Sequence, residues 1–280
     1  MALVLALLSA AFYGTADFFG GVAARRAAPL AATVIAQGSG LVLVALALPL
    51  FPAQPPSAAG ALWGIAAGLT GGVGVALLYS GLAVGRVSVV APVTAVCSIT
   101  VPVLVAIGIG ERPGSLALGG IGVAVASVAL ISRHDPAGNA QGHDRSVAIA
   151  LASGVAIGAF LVCLARAGTA SGLWPLLVAR AASTLALAAA ARVTKVPIAI
   201  PRAVLPVALA CGALDVVANA LYLVAVRDGP LGLVATLASL YPASTVLLAR
   251  VVLGERLRPV QSLGLACAAV AIALITAPSR

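Results

Sequence analysis

The chain has 280 residues, 62% of them hydrophobic and 8% charged, against about 25% charged in an ordinary soluble domain. So few charges cannot cover a water-soluble protein of this length, which excludes the soluble enzyme and binding-module classes. Lys and Arg (16) outnumber Asp and Glu (7), giving +9. No basic run is longer than Arg25-Arg26, so the charge argues for helix-end anchors at a bilayer and against a nucleic-acid partner.

Ten apolar runs are predicted as membrane-spanning helices: 2–24, 28–50, 58–83, 87–109, 115–132, 146–165, 171–192, 203–226, 231–253 and 259–277. Each has roughly 18–25 residues, enough at about 1.5 Å per residue to cross a hydrocarbon core of about 30 Å. The first run has no positive n-region, and nine more spans follow, so it is expected to be retained rather than cleaved. Within it, Asp17 lies nearer one end and reads either as a buried proton site or as a snorkelling acid. The second run carries Gln37. The third carries Gly64, Gly68 and Gly72 every four residues, a stripe for close helix packing, and Tyr79. The fourth contains Pro92 and Pro102, each of which removes a backbone donor and frees a carbonyl. Such breaks read either as packing kinks or as the discontinuous backbone at which transporters place their sites.

The fourth run closes on Gly-Glu-Arg at 110–112, and the ninth closes on the same triplet at 254–256. Glycine stops the helix, and the charged residues meet water and headgroups. Arg112 and Arg256 read as helix stops, while Glu111 and Glu255 are candidates for gating. Between the fifth and sixth runs stands the long polar stretch 133–145, with His134 and His143 in it, read as a solvated linker. Cys97, Cys163, Cys211 and Cys267 fall in four different runs with no C-x-x-C pair, so they are expected as core thiols rather than a metal or disulfide site. The G-x-G pairs at 72–74 and 120–122 lack the strand context of a nucleotide turn, there is no P-loop, and no cofactor is implied.

In the seventh and eighth runs Arg180 and Asp215 lie at the same depth, roughly 18 Å in, on neighbouring antiparallel helices. A pair of charges at that depth is expected to neutralise itself. Asn219 and Tyr222 follow Asp215 at i+4 and i+7, making one polar face that is expected to line a central cavity. The ninth run adds Tyr241 and Pro242, the latter read as a third helix break. Asp215, Asn219, Tyr222, Arg180, Gln37, Tyr79 and Tyr241 are the candidate substrate contacts, with Asp17 the candidate proton carrier.

The two Gly-Glu-Arg copies are offset by 144 residues, about half the chain. The same shift lays Leu7, Ser9 and Gly14 over Leu151, Ser153 and Gly158, and Gly85, Val90 and Ala91 over their counterparts in 229–235. Residues 1–132 and 146–280 are therefore expected to be two five-helix repeats joined by 133–145. An odd number of crossings inserts the second copy upside down, so the fold expected is an all-α membrane protein of ten transmembrane helices in two inverted repeats.

Ten helices, a doubled five-helix unit, the Gly-Glu-Arg endings and the phrase YGTADFFGG at 13–21 resemble the EamA family of the drug/metabolite transporter superfamily. The resemblance covers nearly the whole chain. It implies a permease, often an exporter of amino acids or other small metabolites, that works by alternating access; the chain is expected in the cell (plasma or inner) membrane with a small solute as partner, and Asp17 adds protons as a candidate partner. That family often carries an arginine in helix 2 and again in helix 7; here the helix-7 place holds Arg180 and the helix-2 place holds Gln37. The competing classes are an intramembrane enzyme on a lipid-linked substrate, which would need acid, base or His clusters near the interface, and a non-transporting membrane subunit. The loops on one side carry ten Lys and Arg and the other side four, which by the positive-inside rule turns the termini outward. The resemblance implies cytoplasmic termini.

Overall fold

The computed structural model describes residues 1–110, 115–131, 140–167, 171–228, 237–238 and 240–276. Among these residues there are ten helices and no strand. They are α1 Ala2–Arg26, α2 Pro29–Ala47 (extended by a 3-10 turn, Leu48–Leu50), α3 Ala58–Val84, α4 Val87–Gly108 and α5 Ser115–Ile131. The second half adds α6 Ala140–Arg166, α7 Trp174–Val193, α8 Leu205–Asp228, α9 Tyr241–Val252 and α10 Pro259–Thr276. Local chemistry sets many of the starts. Pro29 and Pro175 occupy first-turn positions where no N–H is missed, and Ser57 caps α3 by accepting from the Gly60 N–H at 3.1 Å.

Six of the helices are long and apolar enough to cross a bilayer, and α4, α5, α9 and α10 carry shorter apolar stretches. Large apolar side chains stand exposed around the outside, Leu62, Val73, Leu185, Leu247 and Val251 among them. That is the surface of a protein whose solvent is hydrocarbon. The N-terminal half of α4 is the reverse case. Val87 to Val96 are all buried, so this segment faces protein on every side.

Two features differ from the sequence reading. Helix α6 begins at Ala140, so the second part of the expected linker is helical; its polarity marks the approach of water rather than the end of the helix. Of the expected ninth span, 231–236 and 239 lie outside the described residues, Leu237 and Ala238 are helical, and after the turn at Leu240 a helix, α9, starts at Tyr241. Pro242 therefore sits in the first turn, where it starts a helix instead of breaking one. Pro92 and Pro102 do lie inside a helix, and α4 continues through both.

The two halves are interleaved. The most extensive helix contacts run between halves: α3 with α6, α1 with α8, and α5 with α10. Exchanging α1–α5 for α6–α10 maps these pairings onto one another, and likewise maps α3–α7 onto α2–α8 and α4–α6 onto α1–α9, while α2–α7 maps onto itself. Close approach rests on small residues. At Gly158 a Cβ would meet Val101 and the Ser98 carbonyl at 3.0 Å or less, and at Gly14 one would meet Thr245 and the Tyr241 carbonyl. Both repeats thus use glycine at the same contact.

The two Gly-Glu-Arg glycines adopt the left-handed conformation, φ 88° at Gly110 and φ 68° at Gly254, as the residue after a helix end does. They stand at opposite ends of α4. Glu255 contacts its first residues, whereas Gly110 follows its last turn, about 33 Å away along a 22-residue helix. Glu111 itself lies outside the described residues, as do Arg112 and His134.

Candidate functional site

Helix α7, which packs on α3 and α2, directs Arg180 toward Gln37 of α2 and Asp215 of α8. One terminal nitrogen of its guanidinium donates to Gln37 Oε1, and the other forms an ion pair with Asp215 Oδ2. Asn219, one turn along α8, donates to the Asp215 carbonyl at 2.7 Å and to Oδ2 at 3.1 Å. Gln37 completes the chain by donating to Ser183 Oγ at 3.2 Å, and Ser183 Oγ donates to the Arg180 carbonyl at 3.0 Å. Side-chain exposure is 12% for Arg180 and 27% for Asp215, so the carboxylate is the more accessible partner.

This network is not saturated. Arg180 Nε and Thr184 Oγ1 are buried with no hydrogen-bond partner among the described residues. Both lie on one stretch of α7. Buried polar atoms are ordinarily satisfied, so two orphans beside a charge pair leave capacity for one more polar group.

A second group of side chains lies within electrostatic reach of the first. Tyr79 Oη and Cys211 Sγ share a hydrogen bond of 2.9 Å. The Tyr13 and Tyr241 rings meet edge-on with centroids 6.4 Å apart. The field of Asp17 reaches Tyr13, Tyr79, Tyr241 and Cys211, and that of Arg180 reaches Tyr13, Tyr79 and Cys211. Among the described residues the Asp17 carboxylate has no hydrogen-bond or ion-pair partner.

Of the residues singled out in the sequence, Gln37, Arg180, Asp215 and Asn219 meet directly, and Tyr79, Tyr241 and Asp17 surround them. Tyr222 makes no hydrogen bond to this network among the described residues and reaches the group only through Tyr13. It packs against the Ala2, Ala6 and Ala225 cluster, toward the start of α1. Pro92 and Pro242 line a separate cavity of about 60 Å³ with Ala95, Leu265, Ala268 and Ile272. Its lining is wholly apolar, so it offers no partner to a polar solute. Tyr13, Ser183 and Cys211 were missed. Cys211 precedes Asp215 by four residues and Tyr13 precedes Asp17 by four, the spacing of one helix face, and that signal would have found both.

A buried polar cluster inside a helical bundle with a lipid-facing exterior defines a multi-pass helical membrane protein. The family model of the EamA-like transporter family matches residues 1–133 and 145–277, and the chain belongs to that family of membrane transporters of the drug/metabolite type. A solved structure described only as "Crystal structure of protein" has a similar fold, with a TM-score of 0.62, 16% identity and coverage of 98% of this chain and 95% of that one. No curated protein matches the sequence.

Proposed function

We propose that this protein is a secondary transporter that exports a small zwitterionic metabolite, such as an amino acid, across the cell membrane by alternating access. The observation that carries the reading is the Arg180–Asp215 pair, held by Gln37 and Asn219 where α2 of one half meets α7 and α8 of the other. Charges buried in a membrane protein are expensive, and they mark solute or ion pathways. A pair of this kind can be divided by a solute that carries both signs. Its ammonium meets Asp215, the more accessible partner, while its carboxylate takes the unpartnered Arg180 Nε and the Thr184 hydroxyl.

In this reading all ten helices span the membrane, and residues 1–132 and 146–280 are the inverted repeats. The bodies that move are built from helices of both halves, since the most extensive contacts are between halves. Asp17 is the proton carrier, set beside the tyrosines without a charged partner. Counterflow of labelled amino acids and small organic acids in proteoliposomes tests it. A solute should exchange with the parent protein and fail to exchange with Asp215→Asn. If none of a broad panel exchanges, or if Asp215→Asn exchanges as the parent does, the reading is lost.

A further inference from the structure

Helix α4 begins without a cap of its own, because its N-cap residue Arg86 makes no side-chain capping bond. Its first donors are nevertheless buried, with Val87 1% and Ser88 2% exposed. A buried N–H left unpaired is destabilising, so the acceptor has to come from elsewhere. It comes from the other half. Glu255 Oε1 accepts from the Val87 N–H and Oε2 from the Ser88 N–H, both at 3.0 Å, across 168 and 167 residues of chain. A carboxylate at this end of a helix also meets the positive end of the helix dipole.

The same carboxylate lies 3.6 Å from Arg25. Arg25 in turn donates to the Leu82 and Gly85 carbonyls at the end of α3, each at 2.8 Å. Arg86 donates to the Arg256 carbonyl. The segment after α9 is thereby tied to α1, α3 and α4 together. Gly254 aims it: its left-handed turn lets the Glu255 N–H return to the Ala249 carbonyl at 3.2 Å, closing the helix and projecting the side chain away from it.

The turn that Glu255 holds also lacks part of its own bonding. Pro92 has no N–H, so the Ser88 carbonyl loses its helical donor, and the Ser88 hydroxyl is buried without a partner among the described residues.

We propose that Glu255 is a clasp that closes one face of the transporter. Bound to the start of α4, it seals the route from that face to the central cluster; released, it lets the α9–α10 connection part from α1 and α4 and opens the route. Both the carboxylate and the freed N–H groups gain water on release, so the exchange is a near-balanced one between two hydrated or two paired sets of polar groups. This rests on the transport reading, yet its test needs no solute.

Cys211 is 1% exposed and lies in the central cluster, so it reports on the route. In a chain whose Cys97, Cys163 and Cys267 are replaced by alanine, Cys211 is labelled with a charged, membrane-impermeant methanethiosulfonate in sealed vesicles of each orientation. Glu255→Gln should raise the labelling rate on the order of tenfold, as loss of charge-assisted hydrogen bonds shifts the closed–open balance, and only with reagent on the Glu255 face. Arg25→Gln should raise it less, because it leaves the helix cap in place. Exchanging the two, Arg25→Glu with Glu255→Arg, should leave labelling fast, because an arginine cannot accept the α4 N–H bonds. An unchanged rate in Glu255→Gln and Glu255→Ala, an equal rise from both faces, or parent behaviour in the exchanged pair would overturn the clasp. A protein that labels as expected but shows no counterflow would keep the clasp and lose the transport reading.

Discussion

Ser9 and Ser153 make the same hydrogen bond in the two halves of the protein. Ser9 Oγ donates to the Ala218 carbonyl and Ser153 Oγ to the Gly74 carbonyl, each at 2.8 Å and each buried. Both donors and both acceptors are related by the 144-residue shift that relates the two Gly-Glu-Arg triplets. One bond joins α1 to α8 and the other joins α6 to α3, the two most extensive helix pairings after exchange of the halves. Ser9→Ala and Ser153→Ala should therefore destabilise equally, each by about 0.6–1.7 kcal/mol, the scale measured for hydrogen bonds between membrane helices. Unfolding of the purified protein in detergent measures it. Unequal losses, or a stabilisation from either change, would mean that the bonds are not equivalent in the molecule.

The charge pair gives a double-mutant cycle. Asp215→Asn strands a guanidinium in the protein interior, while Asp215→Asn with Arg180→Gln removes both charges. Removing one partner of a buried pair costs about 3–5 kcal/mol, and replacing both costs much less. The double variant should thus melt closer to the parent than Asp215→Asn alone, although neither should transport. Thermal melting of the three variants checks this. Additive shifts would show that Arg180 and Asp215 do not depend on one another.

How much of this was legible in the sequence depends on which kind of contact is asked about. The helices were legible because each announces itself by a continuous apolar run, and the depth of Arg180 and Asp215 followed from counting residues along two adjacent helices. Gln37 was placed among the contacts, but its bond to Arg180 was not foreseen, since nothing along the chain sets how α2 rotates against α7. The position of Pro242 was misjudged for a similar reason. An apolar run does not show whether the backbone ahead of a proline is helical, and the turn at Leu240 is what makes Pro242 the start of α9. Glu255 was named as a gate without a partner, because its acceptor role toward Val87 and Ser88 spans more than half the chain. Cys211 and Tyr13 were hidden by residue type: in an apolar helix each reads as one more core side chain.

Glycine spacing separates packing from decoration. At Gly68 a Cβ would meet the Ala182 Cβ at 2.8 Å and the Ala179 backbone at 2.9 Å or less, and at Gly158 it would meet the Ser98 carbonyl at 3.0 Å. At Gly119 nothing lies within 4 Å. Gly68→Val and Gly158→Val should each reduce the folded yield severely, since neither neighbouring helix has a flexible side chain to move aside. Gly119→Val should be tolerated, and its added β-branch should face open space. Expression as a monodisperse species in detergent reads this directly. Equal yields for all three would show that α3 and α6 tolerate wider spacing than the structure has.

Asp17 is the last test, and it bears on coupling rather than on binding. Its carboxylate lies among Tyr13, Tyr79, Tyr241 and Cys211, and among the described residues it has no counter-charge. An acid without a fixed cation can cross between faces only in its neutral form, whereas an acid paired with arginine keeps its charge throughout. In the proposed cycle Asp17 takes up and gives back one proton, while Asp215, held by Arg180, keeps its charge. Export should then follow the pH gradient in the parent protein. Asp17→Asn should remove that dependence, because the amide mimics the neutral acid permanently, while exchange of labelled for unlabelled solute continues at a rate within a few-fold of the parent. Paired measurements of gradient-driven flux and of exchange in the same proteoliposomes separate the outcomes. Loss of both together would place Asp17 in the binding or folding of the site. If net flux in the parent protein were indifferent to a collapsed gradient, Asp17 would carry no proton, and the protein would be a uniporter or an exchanger.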